Sequence, residues 1–243
     1  MKIYLADGIS FKDGALDIDL KSSDNIKTAL GKYGLKPYIT TIEGLKIYSV
    51  YAKNAQSGKS SILSALHALK KLKETNLDGY NKALKRAALF SYRIFKSSNI
   101  DMITSIESSS PLSHDFISHL MPYMPNSSGF SYLKAAVKKN NDISSIKLED
   151  TDKISSELKH RLNKIIQNAK ESKAFEIKKV PPQYRKFIKN WLSLESKLSP
   201  KVFNKNILLV DDYLTSGTSI YAAYEILKSN GAKNVYGLSL IKL

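Results

Sequence analysis

Apolar residues change their spacing several times along this 243-residue chain, and each change predicts an element. Ile207 to Val210 is an unbroken, β-branched-rich apolar run, as expected of a parallel strand covered on both faces. It stops at Asp211 and Asp212; beyond Thr215-Ser-Gly-Thr-Ser219, apolar residues recur at helical spacing from Ile220 to Lys228, ended by Asn230-Gly231. Val235 to Ile241 reads as a further strand. Upstream, Asp101 to Ile106 predicts a strand, Glu107 to Ser113 a polar loop and His114 to Met121 a helix.

The N-terminal part alternates in shorter units. Lys2 to Leu5 and Ala15 to Leu20 are strand candidates around Asp13-Gly14, and Ser23 to Leu30 has the capping pattern of a helix. Tyr38 to Ile42 and Leu45 to Tyr51 are joined by Glu43-Gly44 as a hairpin. Helices are predicted over Ser60 to Leu72 and Tyr80 to Phe95. In the middle, Tyr132 to Val137 fits strand or helix, and Ile154 to Ala169 is a basic amphipathic helix. After Pro181-Pro182 comes the amphipathic Gln183 to Leu192. The alternation implies an α/β fold with a parallel sheet.

Composition narrows the classes. No cysteine is present, which removes disulfide scaffolds, cysteine nucleophiles and thiolate metal sites and is compatible with a reducing compartment. No apolar run approaches the ~18 residues of a spanning helix, and the start of the chain is too polar for a signal peptide. The expectation is a soluble cytoplasmic protein without a membrane partner. The net charge of +16 comes almost wholly from lysine, since arginine occurs only at Arg86, Arg93, Arg161 and Arg185. A field of this sign attracts pyrophosphates, nucleotides and nucleic acid, so nucleic acid is left open as a partner.

The chemistry concentrates between Asn206 and Ser219. Two adjacent acids at the carboxyl end of a buried strand repel one another and lose solvation, so they are easiest to keep where a cation or hydroxyl groups fill the crevice above the sheet. The loop that follows lies at a helix N-terminus, where unpaired N–H groups and the helix dipole attract an anion. Thr215, Ser216, Thr218 and Ser219 add hydroxyl donors, and Gly217 lets backbone approach a phosphate closely.

This segment closely resembles the phosphoribosyl pyrophosphate (PRPP) binding motif of type I phosphoribosyltransferases. The resemblance implies a Rossmann-like parallel sheet and Mg²⁺-dependent transfer of ribose 5-phosphate from PRPP to a small-molecule base acceptor. Asp211 and Asp212 would hold the ribose hydroxyls and, directly or through water, the metal; Thr215 to Ser219 would wrap the 5′-phosphate. Ser108, Ser109 and Ser110 stand where the family's pyrophosphate loop lies. The segment before the PRPP strand is where the family keeps a mobile catalytic loop, making Lys178, Lys179, Tyr184, Arg185 and Lys186 candidates over the pyrophosphate. Arg185 is preferred, because its planar donor fork suits a diphosphate. The core is placed at residues 99–243, with an insertion at 123–173 and an N-terminal hood at 1–98 that supplies the acceptor pocket. A homodimer is left open.

Two alternatives keep the cradle: the same transfer to a base in DNA or RNA, and a PRPP-responsive nucleic-acid-binding regulator without catalysis. Other motifs are weaker. Ser57-Gly-Lys-Ser-Ser61 looks like the end of a Walker A loop, but Lys53 occupies the position of the first glycine. His114 and His119 are five apart, out of the i, i+4 register of a helical zinc site, and no G-x-S-x-G elbow occurs.

Overall fold

The computed structural model describes residues 2–6, 9–12, 15–18, 38–52, 73–74, 77–108, 111–124 and 130–242. The helices expected over residues 23–30 and 60–72, the Walker-like segment 57–61, His67, Ser109 and Ser110 lie outside these residues. A three-stranded antiparallel sheet is formed by β1 (Lys2–Ala6), β2 (Ile9–Lys12) and β3 (Ala15–Ile18).

Among the described residues the main sheet has seven strands. In chain order they are β4 (Tyr38–Ile42), β5 (Leu45–Ala52), β6 (Met102–Ile106), β7 (Ser131–Lys139), β10 (Leu192–Leu194), β11 (Asn206–Leu214) and β12 (Asn234–Lys242). The two-residue strands β8 (Lys147–Leu148) and β9 (Ile188–Lys189) pair separately. Across the sheet the order is β10-β7-β6-β11-β12-β5-β4. The pairs β7/β6, β6/β11, β11/β12 and β12/β5 are parallel, while β10 and β4 run antiparallel at the two edges. The fold is α/β, as expected.

Helices lie on both faces. Pleating sends alternate residues of β11 to opposite sides, so Leu208 and Val210 face one core and Ile207 and Leu209 the other, all 0% exposed. The first core is covered by α1 (Leu77–Phe95), through Tyr80, Leu84, Ala87 and Ala88, and by α2 (Leu112–Leu120), through Phe116, Ile117 and Leu120. The second is covered by α3 (Ser156–Ser172), through Leu162, Ile166 and Ala169, and by α5 (Thr218–Ser229), through Ile220, Ala223 and Leu227. A one-turn helix, α4 (Ser199–Val202), leads into β11. Full burial of each side chain from Ile207 to Val210 contributes about 1.5–3 kcal/mol, which is why this run is apolar up to Asp211.

The sheet bears on three of the expectations. The boundary placed at 98/99 does not coincide with an edge of the sheet: β5 pairs with β12, β4 with β5, and α1 buries its apolar stripe in the first core. Residues 38–52 and 77–95 therefore belong structurally with the core. Within 123–173, β7 pairs with β6 and α3 packs in the second core. Finally, the amphipathic stretch Gln183 to Leu192 is not a single element; a 3-10 turn over Pro182–Phe187 runs into β9 and then β10. Pro181 and Pro182 cannot donate backbone N–H bonds, and Asn190 at φ 61° ends any helical run.

Candidate active site at the switch point of the sheet

The connection from β6 travels through α2 to β7 on one side, and the connection from β11 travels through α5 to β12 on the other. The two helices lie on opposite faces. A crevice between the carboxyl ends of neighbouring strands forms where such connections diverge, and open α/β sheets bind ligands there. In this chain that point lies between β6 and β11.

Asp211 and Asp212 stand at this point, for a reason visible in the register. β11 pairs with β6 only as far as Val210 opposite Ser105, but with β12 as far as Leu214 opposite Lys242. The strand therefore runs on through both acids rather than stopping at Asp211, supported on one side only. Asp212 is 4% exposed and Asp211 half-buried. The Asp212 N–H donates to Asp211 Oδ1 at 3.0 Å, the Tyr213 N–H to Asp212 Oδ1 at 3.0 Å, and Ser108 Oγ to Asp212 Oδ2 at 3.4 Å.

Burial, followed by the charge of Asp212, pushes the Asp211 carboxyl well above the usual carboxylate range. Burial also raises Asp212, opposed by the hydrogen bonds it accepts from Asp211, the Tyr213 N–H and Ser108. Both carboxyls are thus shifted towards binding protons more tightly than free carboxylates do. A cation or sugar hydroxyls in the crevice would satisfy the same oxygens.

The cradle residues follow at once. Gly217 is the N-cap of α5 at φ +73°, and no side chain caps the helix, so the first-turn N–H groups, those of Thr218 and Ser219 among them, face outward from its end. Ser216 Oγ and Thr218 Oγ1 are 2.9 Å apart. A Cβ on Gly217 would stand 2.0 Å from Ile42 Cδ1 and 3.3 Å from Leu214 Cδ1, so the backbone conformation favours glycine and a side chain there would have to displace the tip of Ile42. Thr215 and Ser216 are exposed.

On the β6 side, a cavity of about 270 Å³ is lined by Ser105, Ser108, Ser113, His114 and Lys134, among others. Ser113 is 3% exposed and its hydroxyl has no hydrogen-bond partner. The wall is shaped by a bulge in β7, where Ala135 takes φ 47° and the ladder with β6 slips between Thr104 and Ile106. Ser105 Oγ accepts the Ala135 N–H at 3.3 Å, and Thr104 Oγ1 accepts the Ala136 N–H at 3.1 Å.

Arg185 lies on the other side. It sits in the 3-10 turn Pro182–Phe187, its Nε donates to Val180 O at 2.8 Å, and it lines a cavity of about 710 Å³ together with Ser216 and Thr218. The guanidinium is close enough to Tyr213 to lower that hydroxyl's pKa, which burial and the two aspartates raise. Of the lysines proposed with it, Lys179 pairs with Glu176 at 3.2 Å and Lys186 lies over the Phe187 ring at 5.2 Å. Ser108 and Arg185 line different cavities.

The sequence does not single out Tyr213, Ser113, His114 or Lys134 for this site. A tyrosine directly after paired acids is the one available signal; the others reach the site through tertiary packing. Among the described residues no group of three or more His, Asp or Glu side chains could hold a metal ion, and no helix is long and apolar enough to cross a membrane.

No family model and no curated protein sequence matches the chain. Among solved structures it is similar to a hypoxanthine phosphoribosyltransferase from Staphylococcus aureus, at 12% identity and TM-score 0.38 over 67% of this chain and 64% of that one. A hypoxanthine-guanine phosphoribosyltransferase from Bacillus anthracis aligns at 13% identity and TM-score 0.35 over 67% and 65%. The hypoxanthine phosphoribosyl transferase of Trypanosoma cruzi aligns at 9% identity and TM-score 0.36 over 67% and 64%. The chain spans just under two thirds of the length of these solved proteins, and at this distance the roles of the residues rest on their geometry.

Proposed function

We propose that this chain is a phosphoribosyltransferase that takes PRPP as donor and transfers ribose 5-phosphate to a nitrogenous base-type acceptor, releasing pyrophosphate. The observation that carries this reading is the pair Asp211 and Asp212 at the switch point, with an uncapped helix N-terminus on one side and the Ser108 cavity on the other. PRPP has the same three-part layout: an anionic group at each end and hydroxyls between.

In this mechanism Asp211 and Asp212 accept hydrogen bonds from the ribose hydroxyls, which fixes the ring. First-turn N–H groups of α5 and the hydroxyls of Ser216, Thr218 and Ser219 hold the 5′-phosphate. As the bond from C1 to the diphosphate oxygen lengthens, positive charge grows on the ribose close to the two carboxylates, and negative charge grows on the leaving group beside the Ser108 cavity. Fixed groups aimed at these developing charges lower the barrier. The acceptor nitrogen bonds to C1 as the diphosphate departs with the bonding pair.

The donor set fits Mg²⁺ shared with substrate rather than held in a protein cage. Among the described residues, two adjacent carboxylates are present without a third acidic or imidazole ligand, and Mg²⁺ characteristically binds through one or two carboxylates plus substrate phosphates. Bound there, it would neutralise charge on the departing pyrophosphate.

The test is pyrophosphate release from purified protein supplied with PRPP, Mg²⁺ and a panel of free nucleobases. Release with at least one base, abolished in the double variant Asp211→Asn with Asp212→Asn, is expected; full activity in that variant overturns the reading. The +16 charge favours nucleic acid as a second acceptor class. Release only with DNA or RNA would assign that substrate, and salt-sensitive DNA binding without release would assign a PRPP-responsive regulator.

A further inference from the structure

We infer that Arg185 binds the 5′-phosphate of the donor, not its pyrophosphate. This rests on the proposed transferase function. The paired aspartates lie between Ser108, which bonds Asp212, and the α5 N-terminus that follows them in the chain. On the β6 side lies the cavity containing Ser108 and Lys134; on the α5 side lies the one containing Arg185, Ser216 and Thr218. A ribose whose hydroxyls are held by Asp211 and Asp212, and whose 5′-phosphate sits on the α5 N-terminus, directs its C1 substituent to the β6 side.

Several observations hold Arg185 on the α5 side. Its 3-10 turn packs against α5, the helix whose first turn forms the cradle. The bond from its Nε to Val180 O at 2.8 Å fixes the guanidinium plane, so the group does not need to swing over the crevice to find a partner. In the same cavity Trp191 is 6% exposed and its indole N–H has no acceptor. Glu43 and Asp150 also line this cavity, beside the cations Arg185, Lys186 and Lys189.

The role differs from the one the sequence suggested. An arginine over the pyrophosphate stabilises a leaving group as it departs; one on the 5′-phosphate supplies binding that is equal before and during reaction. Arg185 is thus a positioning residue, and its loss should raise KM for PRPP more than it lowers kcat.

Two probes separate the sites: ribose 5-phosphate carries the 5′-phosphate alone, and inorganic pyrophosphate mimics the leaving group. Titration calorimetry of each, with Mg²⁺, is compared between the wild type and Arg185→Gln, with circular dichroism as the folding control. Loss of a charge-assisted hydrogen-bond pair should weaken ribose 5-phosphate roughly tenfold or more and leave pyrophosphate within about twofold. Arg185→Lys, which keeps the charge and disturbs the turn less, should fall between. Thr218→Ala combined with Arg185→Gln should be non-additive for ribose 5-phosphate, because both touch one group. Weakened pyrophosphate with unchanged ribose 5-phosphate overturns the assignment, as does no change in either. Wild-type protein that binds neither probe overturns the transferase reading itself.

Discussion

Ser108 Oγ donates to Asp212 Oδ2 at 3.4 Å, joining the loop after β6 to the end of β11 across the mouth of the crevice. A hydroxyl bond of this length is weak. Ser108→Ala should therefore shift the melting temperature by no more than about 2 °C. Its effect should appear in ligand binding, as a pyrophosphate affinity lower by about threefold to tenfold. Calorimetry and a thermal melt on the same sample check both statements, and a large stability loss with unchanged pyrophosphate binding would make Ser108 a structural residue only.

The aspartate pair predicts a pH dependence of stability with a definite sign. Both carboxyls bind protons more tightly in the folded protein than in the unfolded chain. Stability contributed by such groups is greatest at low pH and falls as pH rises from about 3.9, the unfolded value, through the raised folded value. Asp211→Asn removes the charge that burial opposes. Its melting temperature should exceed that of the wild type at about pH 7.5, with the gap closing towards about pH 4. Melts across that window would refute the account if the variant were less stable at neutral pH.

The same shift links metal binding to pH. Mg²⁺ and PRPP compete with protons for the pair, so binding should release a proton and weaken as pH falls through the pair's raised range. Calorimetry in two buffers of different ionisation enthalpy reads the proton directly. Identical apparent enthalpies in both buffers would show that the pair is already ionised.

Gly217 is constrained twice, by φ +73° and by Ile42 Cδ1, which lies 2.0 Å from where a Cβ would stand. Gly217→Ala should cost about 1–3 kcal/mol of stability and disturb the cradle. Ile42→Ala in the same chain should recover the steric share and leave the backbone share. Denaturant titrations of the single and double variants separate the two, and full recovery would mean that the backbone conformation costs nothing.

Helix α1 is tied to α2 by a buried phenol. Tyr80, 3% exposed, donates from its hydroxyl to Asp115 Oδ2 at 2.8 Å, and Lys73 Nζ reaches the same oxygen at 2.7 Å. Tyr80→Phe should destabilise the whole molecule by about 1 kcal/mol in one cooperative transition. Loss of α1 in a separate, earlier transition would show that residues 77–95 fold as an independent hood.

Where local pattern decides structure, the sequence is readable. Ile207 to Val210 and the helix beginning at Thr218 are evident because continuous burial and helical spacing leave a direct imprint on residue type. Strand β7 is ambiguous because the bulge at Ala135 breaks its alternation. Strands β8, β9 and β10 are two or three residues long, too short to show a period. The true extent of the core is hidden because Gly237 pairs with Ile47, a relation between distant parts of the chain that neither segment records. The aspartates and cradle are legible because their chemistry lies in one continuous run. Arg185 is legible as a residue but not as a location, since its cavity depends on a 3-10 turn packing against α5.

The position of β12 between β5 and β11 bears on how the molecule assembles. Until Asn234–Lys242 is inserted, the β4/β5 hairpin has no parallel neighbour and cannot join the β10-β7-β6-β11 block. Insertion must close a loop from residue 52 to residue 234, and such long-range parallel pairing is slow. Refolding should therefore show an early species with β6, β7 and β11 protected from hydrogen exchange, followed by a late step in which β5 and β12 gain protection together.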